Sequence, residues 1–177
     1  MAGYRAFIAE DDNESIYRLE YFHNPLRWND NMIELNNPIR NVNHWSQEIK
    51  YISDDGNRIS DDILNLPNDI GGIYMFYIKG NNLPFIENHI LYIGRCKITE
   101  HQNIRKRAKE YYTDTKRQLI AKMFRLWKHN IYYRFYADND NDRIDQNEVQ
   151  LIRSILPPLN EKIPDKLEIQ PTIPAFN

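Results

Sequence analysis

The sequence predicts an α+β protein, because segments typical of strands are interspersed with segments typical of helices. Three segments are rich in β-branched and aromatic residues and are bounded by Gly, Asn or Pro, as strands are: 71–78, 89–95 and 131–136. Residues 103–128 predict two helices that are broken near Asp114, and a last helix is predicted to begin near Asp145. The segment 79–84 is rich in turn residues, so the first two strands are expected to form a hairpin.

Length and composition predict one soluble domain. The chain has 177 residues, of which 41% are hydrophobic, and it has no apolar run of about 18 residues that could span a membrane. The N-terminus has no hydrophobic segment typical of a secretion signal, so we expect a cytoplasmic protein. The single cysteine, Cys96, excludes an internal disulfide and a cysteine-based zinc cluster, and we expect it to be a buried thiol rather than a nucleophile.

Residues 1–70 contain no catalytic motif. Residues 16–22 are a possible strand, residues 43–49 a possible helical turn and residues 53–57 a turn, and a short helix is expected to follow Ser60. His23 and His44 stand alone and are expected to be structural or surface residues. We divide the chain into an extension of uncertain role (1–70), a core (71–162) and an extended tail (163–177). The extension is a cap on the core, a specificity element or an oligomerisation surface.

The hairpin contains two short tripeptides, Gly72-Ile73-Tyr74 and Tyr92-Ile93-Gly94. It would place Tyr74 and Tyr92 on adjacent strands, where side chains on one face lie about 5 to 8 Å apart. Gly94 is expected to end the second strand, where a side chain would crowd a substrate or a tight turn.

The segment 95–128 is basic although the whole chain has a net charge of −2. Phosphate binding needs a local basic face rather than a basic average. Two interpretations are open, namely two solvated amphipathic helices or a DNA-binding face, and the paired tripeptides favour the second. The cations of this segment are Arg95, Lys97, Arg105, Lys106, Arg107, Lys109, Lys116, Arg117, Lys122, Arg125 and Lys128.

In the first helix of this segment, Arg107 shares a face with Ile104, Ala108 and Tyr111. An arginine on the face that meets the sheet needs an anionic partner or a polar cavity. In the second helix, Asp114 or Thr115 is the expected N-cap. The apolar stripe of that helix is expected to be core and consists of Leu119, Ile120, Met123, Phe124 and Trp127.

The last helix carries a glutamate, Glu148, on its apolar face. Two interpretations are open: Asp145 and Glu148 form a capping box, or Glu148 is paired or binds a metal. The preceding acidic segment, 138–142, is expected to be a turn. It lacks the glycine and the final acid of a calcium loop, since Arg143 and Val149 stand at those positions.

Residues 71–162 resemble the GIY-YIG nuclease family, which is named after the two tripeptides. The resemblance extends to Asn103-x-x-Lys-Arg107 in the first helix and to Glu148-x-x-Leu-Ile followed by Pro-x-x-Asn160. It implies a three-stranded antiparallel sheet flanked by helices. The catalytic residues that it implies are Tyr74, Tyr92, Arg107, Tyr111, Glu148 and Asn160.

The resemblance implies hydrolysis of a phosphodiester bond with one Mg²⁺ ion, or Mn²⁺, bound by Glu148. Tyr74 is the first candidate for the general base and Tyr111 is its competitor. Arg107 would stabilise charge on the phosphate, and Asn160 would hold the glutamate or a phosphate. The residues expected to bind the substrate are Gly94, Arg95, Lys97, Arg105 and Lys106.

DNA is the expected substrate. Since no recognisable DNA-binding module follows the core, a restriction or phage-defence endonuclease is the first expectation, and a repair or mobile-element nicking enzyme is the alternative. A double-strand break would require a homodimer or two visits to the DNA. The alternative of another class is a DNA-binding module without catalytic activity.

Overall fold

A computed structural model describes residues 36–79, 88–114 and 116–160. The strand expected at 16–22, His23, the turn residues 80–84, Thr115 and the tail at 163–177 lie outside these ranges. No helix in the three described ranges is both long and apolar enough to cross a membrane.

The described residues form an α+β fold around one antiparallel sheet, which confirms the predicted class. The sheet has four strands, where the prediction had three. All three predicted strands are present, as β2 (Gly71–Ile78), β3 (His89–Cys96) and β4 (Ile131–Asp138). The additional strand is β1 (Ile49–Lys50), which pairs with Tyr132 and Tyr133 of β4.

The central strand β2 is buried on both faces. Its neighbours β3 and β4 pair with it along nearly its whole length, and alternate side chains point to opposite faces. Tyr74 and Phe76 belong to a core that packs against the helices that follow β3. Ile73 and Met75 belong to a second core under the last helix. The sheet therefore separates two layers of side chains.

Four α-helices lie in the described residues: α1 (Asp61–Leu64), α2 (Ile104–Thr113), α3 (Gln118–Trp127) and α4 (Asn141–Ile155). Ser60 caps α1 as expected, and the Asn103 side chain caps α2 by accepting the Lys106 backbone N–H. The turn expected at 53–57 is present, with a hydrogen bond from the Gly56 N–H to the Ser53 carbonyl. The apolar stripe of α3 packs into the first core, as predicted.

Two local predictions were wrong in detail. The helical turn expected at 43–49 is replaced by two short 3-10 helices, Pro38–Arg40 and Val42–His44. The Asp114 side chain accepts backbone N–H groups of Lys116 and Arg117, but the N-cap position of α3 is Arg117 itself. These Asn- and Asp-rich segments satisfy local backbone donors in short turns, which competes with the longer helical forms.

The predicted start of the last helix near Asp145 is also wrong, since α4 begins at Asn141, and this rules out the capping-box interpretation of Asp145 and Glu148. Asp140 is the N-cap, and its carboxylate accepts the backbone N–H groups of Asp142 and Arg143. The acidic segment therefore supplies the cap, and Asp145 lies inside the helix. This leaves the other interpretation of Glu148, as a carboxylate on the buried face that needs a partner.

Residues 36–70 pack against the sheet and helices that follow. The Tyr51 side chain is fully buried and its hydroxyl donates to the Ala108 carbonyl at 2.6 Å. Ile52, Ile63 and Leu66 are buried in the same core. His44 is exposed, with Nδ1 3.1 Å from the Pro38 carbonyl, as expected for a surface histidine.

Candidate active site

Three tyrosine hydroxyls meet on one face of the β2–β3 hairpin. The Tyr74 and Tyr111 hydroxyl oxygens are 2.5 Å apart, and the Tyr111 hydroxyl donates to that of Tyr92 at 3.3 Å. We call these three residues the tyrosine cluster. They come from three elements, β2, α2 and β3, so only the folded chain brings them together.

Strand register explains how the two motif tyrosines come to share this face. Tyr74 pairs with Gly94, and Tyr92 pairs with Phe76, so the tyrosines are diagonal neighbours with ring centroids 6.5 Å apart. The Tyr74 ring leans over Gly94, where an added Cβ atom would lie 2.5 Å from the Tyr74 hydroxyl oxygen. Gly94 therefore makes room for Tyr74. It does not end the strand as expected, since β3 continues to Cys96.

The other motif glycine has a different structural reason. Gly72 has a φ angle of 143°, which L-residues rarely adopt, and an added Cβ atom would overlap the carbonyl oxygen of Tyr136 on β4. Glycine at this position permits close approach of β2 to β4, immediately before the strand places Tyr74 in the cluster.

Arg107 lies on the site-facing side of α2, as predicted. Its Nε atom donates to the Tyr74 hydroxyl at 3.1 Å, and its Nη1 atom donates to the Glu110 carboxylate at 2.9 Å. Its guanidinium also lies 5.2 Å from the centre of the Tyr111 ring. The arginine thus has the anionic partner that its position requires.

A second arginine joins the cluster, and sequence reasoning counted it only among the basic residues of the segment. Arg117 donates from Nη1 to the Tyr111 hydroxyl at 3.2 Å, and its guanidinium is 4.4 Å from the centre of the Tyr111 ring. Its Nε atom contacts Asp114 at 2.5 Å. Arg117 lies in the junction between two helices, where no periodic pattern connects it with Tyr111.

Burial controls the protonation of the tyrosine cluster. The Tyr74 side chain is fully buried, and desolvation, with the neighbouring hydroxyls of Tyr111 and Tyr92, raises its pKa well above the ordinary value although the charge of Arg107 opposes this. Desolvation also raises the pKa of Tyr92, which is only half-buried. Both hydroxyls are therefore protonated at neutral pH, which does not suit a general base.

The opposite side of β3 carries a group of charged residues. Arg95 donates from Nη1 to the Glu148 carboxylate, and its Nε atom lies 3.0 Å from Asp145 Oδ1. Asp145 Oδ2 lies 2.5 Å from Lys97 Nζ. Glu148 and Asp145 are one turn apart on α4, so the helix presents both carboxylates to the edge strand. We call these four residues the charged cluster.

Glu148 is the most enclosed member of the charged cluster, with 14% of its side chain exposed. Burial raises the pKa of this carboxyl above its usual range; the charges of Arg95 and, more weakly, Arg107 oppose the shift.

The donor set of Glu148 fits Mg²⁺ in one mode of binding. No group of three or more His, Cys, Asp or Glu residues that could hold a metal occurs in the described parts of the chain. Mg²⁺ commonly binds through one or two carboxylates and keeps several waters or phosphate oxygens. Glu148 is one such carboxylate, whereas both oxygens of its neighbour Asp145 are paired with Arg95 and Lys97. A cage made of protein ligands is absent from the described residues.

The Asn160 side chain contacts the backbone of β3, whereas it was expected to hold Glu148 or a phosphate. Its side-chain amide donates to the Ile93 carbonyl at 2.7 Å, and its side-chain oxygen accepts the Ile93 N–H at 2.9 Å. Both polar groups are therefore used on the backbone of β3, and neither is bonded to Glu148. The asparagine secures the strand that carries Tyr92, Gly94 and Arg95.

Two of the predicted substrate-binding residues lie apart from both clusters. Arg105 donates from Nε to the Leu66 carbonyl, and Lys106 contacts the His101 carbonyl at 3.1 Å.

Cys96 is buried, as expected. Burial raises the pKa of its thiol to about 11, so it is not a nucleophile at neutral pH.

Comparison of the chain with models of protein families, with curated proteins and with solved structures found no match.

Proposed function

We propose that the chain is a metal-dependent endonuclease of the GIY-YIG type, which hydrolyses phosphodiester bonds of DNA. The observation that carries the proposal is that residues distant in sequence meet around the edge strand β3. A hydrogen-bonded group of tyrosines and arginine lies on one side of the strand, and an enclosed carboxylate lies on the other: Tyr74, Tyr92, Tyr111, Arg107 and Glu148.

Arg107 is the residue to which we assign stabilisation of the negative charge on the phosphate. Its guanidinium is held by Tyr74 and Glu110, so it is already oriented before a substrate arrives. Preorganised donors of this kind contribute strongly to catalysis, because they need no reorganisation as charge develops. On the other side of β3, Arg95 and Lys97 are held by Asp145. These two cations would contact the nucleic-acid strand there.

The tyrosine cluster is assigned to the attacking water. Because Tyr74 and Tyr92 stay protonated at neutral pH, they would hold and orient the water rather than remove its proton. We assign the base to Tyr111, which is as buried as Tyr74 but is contacted by two arginines. Arg117 donates to the Tyr111 hydroxyl at 3.2 Å, and the Arg107 guanidinium lies 5.2 Å from the centre of the Tyr111 ring.

Mg²⁺ or Mn²⁺ bound by Glu148 would supply a positive charge that polarises the phosphate and stabilises the leaving oxygen. Asn160 keeps β3 in place and so fixes the residues of that strand relative to α4. One such site cuts one strand, so a double-strand break would need a second copy of the chain.

The test is incubation of supercoiled plasmid DNA with the protein and Mg²⁺, Mn²⁺ or EDTA, with Glu148→Gln in parallel. Cleavage that requires both the metal and Glu148 is the expected result. Glu100→Gln removes the same charge from an exposed position and should cut like the wild type. Metal-independent cleavage, or full activity of Glu148→Gln, would refute the assigned role of the carboxylate.

The cut products separate the biological classes that the sequence left open. Discrete fragments with defined ends would indicate restriction or phage defence, whereas open circles would indicate a nicking enzyme of repair or mobile-element type. Tyr111→Phe should bind DNA normally and cleave about 10²- to 10⁴-fold more slowly, as expected for loss of a general base. A similar loss in Tyr74→Phe but none in Tyr111→Phe would reverse the assignment of the base.

One observation favours a second candidate, a DNA-binding module without catalytic activity. Glu148 is ion-paired with Arg95, which is also how a purely structural carboxylate is satisfied. Under this alternative the protein shifts DNA on a gel in a salt-sensitive manner, and no metal produces cleavage.

A further inference from the structure

An open, solvent-facing cavity of about 340 Å³ lies at the junction between α2 and α3, next to the tyrosine cluster. Charged side chains dominate its lining: Arg107, Glu110, Asp114, Lys116 and Arg117, with Thr113 completing it. Arg107 belongs both to this cavity and to the candidate active site. A ligand bound in the cavity would therefore lie close to the phosphate bound in the candidate active site.

The two arginines of the cavity are held in the same way. Each guanidinium donates one N–H to a tyrosine hydroxyl and another to a carboxylate; the partners are Tyr74 and Glu110 for Arg107, and Tyr111 and Asp114 for Arg117. A guanidinium has five N–H donors, so donors remain for a ligand. Arg107 and Arg117 are 28% and 34% exposed, so a ligand can reach them.

The charges of the cavity do not balance. Its two carboxylates are each paired with an arginine, and within the described residues the Lys116 ammonium has no ion-pair partner. The lining therefore has a net charge of +1 (three cations and two carboxylates). A phosphodiester carries one negative charge, and its oxygens match the planar donor fork of arginine.

We propose that this cavity binds a second phosphate of the nucleic-acid strand, beside the phosphate that occupies the active site. The proposal rests on the proposed function, because it takes the ligand to be the substrate strand. Arg117 and Lys116 bind this phosphate directly, and Arg107 lies between the two phosphates. The nucleic-acid strand is thereby held at two phosphates, which fixes the position of the phosphate to be cleaved relative to the tyrosine cluster.

The test measures the salt dependence of binding to a duplex of random sequence, in EDTA so that no metal-dependent cleavage occurs. Each phosphate contact contributes about 0.9 to the slope of log K against log salt concentration. Lys116→Gln and Arg117→Gln should each reduce the slope, and the double variant should lose no more than about 0.9 in total, because both residues bind the same phosphate.

Two controls make the measurement specific. Arg58→Gln removes the same charge from an exposed position outside the basic segment 95–128 and outside the cavity lining, and should leave the slope unchanged. Arg117 also contacts Tyr111 and Asp114, so thermal unfolding of Arg117→Gln is measured in parallel. Lys116→Gln removes a side chain that no described ion pair uses, and it tests the cavity even if Arg117→Gln does not fold.

The outcomes separate this inference from the proposed function. Additive effects of the two cavity variants, or an equal effect of Arg58→Gln, would indicate diffuse electrostatic attraction and would overturn the proposal. If both cavity variants have the same salt-dependence slope as the wild type, the second-phosphate proposal is also overturned, even if the protein cleaves DNA. A non-additive loss in a protein that binds but never cleaves would support the cavity and refute the nuclease. Absence of any DNA binding at low salt would refute both.

Discussion

Gly94 has no side chain because the Tyr74 ring occupies the space that a side chain would need. The hydroxyl oxygen and two ring carbons of Tyr74, Cζ and Cε2, would lie within 3 Å of an added Cβ atom. This glycine therefore acts through packing inside the protein. The space above Gly94 also allows the Tyr74 hydroxyl to lie beside that of Tyr111. The absence of a Cβ atom at position 94 therefore permits the geometry of the tyrosine cluster.

Gly94→Ala is expected to lower the free energy of unfolding by about 1 to 3 kcal/mol, the usual cost of overpacking a core. Urea unfolding measures this loss. Gly94→Ala combined with Tyr74→Phe, which removes the nearest contact atom, should cost less than the sum of the two single changes. Strict additivity would show that Tyr74 is not the residue that excludes a side chain at position 94.

Asp138, at the end of β4, has a carboxylate that is 2% exposed and paired with Arg143. Burial alone would raise its pKa, but the hydrogen bond and charge of Arg143 lower the pKa below its usual range. A carboxyl with a lowered pKa in the folded state stabilises the fold above its unfolded pKa, near 3.8, and this stabilisation is lost as the pH falls through the folded pKa.

Asp138→Asn should therefore lower the free energy of unfolding at about pH 7 by about 1 to 2 kcal/mol, a value reduced by the exposure of Arg143. The difference from the wild type should shrink as the pH falls well below 3.8. Urea titrations at neutral and acidic pH measure both values. The exposed Asp62→Asn change serves as a control and should show neither effect. A difference that is independent of pH would contradict the role given to the charge.

At the scale of elements, the edge of β3 is closed by residues that follow α4. The Leu159 N–H donates to the Leu91 carbonyl, and the Asn160 side chain pairs with both backbone groups of Ile93. Unpaired strand edges invite association with other chains, so this segment protects an edge that would otherwise be open. It also connects α4 with the strand that carries half of the candidate site.

Asn160→Ala should expose the Ile93 amide and cost about 1 to 3 kcal/mol of stability. Hydrogen exchange at the Ile93 N–H should accelerate well beyond that of Ile73 on the central strand. Asn160→Asp keeps the acceptor for this N–H but loses the donor to the Ile93 carbonyl, so it should protect the amide partly. Unchanged exchange in Asn160→Ala would contradict the anchoring role.

Local patterns predicted the elements well where burial repeats regularly. The strands β2, β3 and β4 and the apolar stripe of α3 follow from residue type and spacing alone. The start of α4 was misplaced because the acidic segment fits both a turn and a cap, and β1 is too short to show a period. Arg117 and the partners of Asn160 were missed since these contacts depend on how distant segments pack.

At the scale of the whole molecule, residues 36–70 and the core share one hydrophobic interior. Ile63 on α1 is fully buried in it, while its neighbour Leu64 is 36% exposed. β1 also extends the sheet beyond β4. The division at residue 70 therefore does not separate two independent hydrophobic cores.

Ile63→Ala is expected to destabilise the protein by about 2 to 5 kcal/mol, as a large-to-small change in a packed core does. Leu64→Ala on the same short helix should cost less than about 1 kcal/mol. Chemical unfolding of both variants, followed by the fluorescence of the tryptophans, gives the comparison. Equal effects of the two changes would show that α1 does not belong to the common core.

The contact between Asn160 and Ile93 spans 67 positions of the chain and thus sets an order of events during synthesis. At translation rates of about 5 to 20 residues per second, Ile93 is made roughly 3 to 13 s before its partner. Throughout that interval β3 has an uncovered edge, and α4 with Glu148 is incomplete or absent for most of it. The newborn chain therefore passes through a stage in which this edge of β3 is unpaired and the candidate active site is not yet assembled.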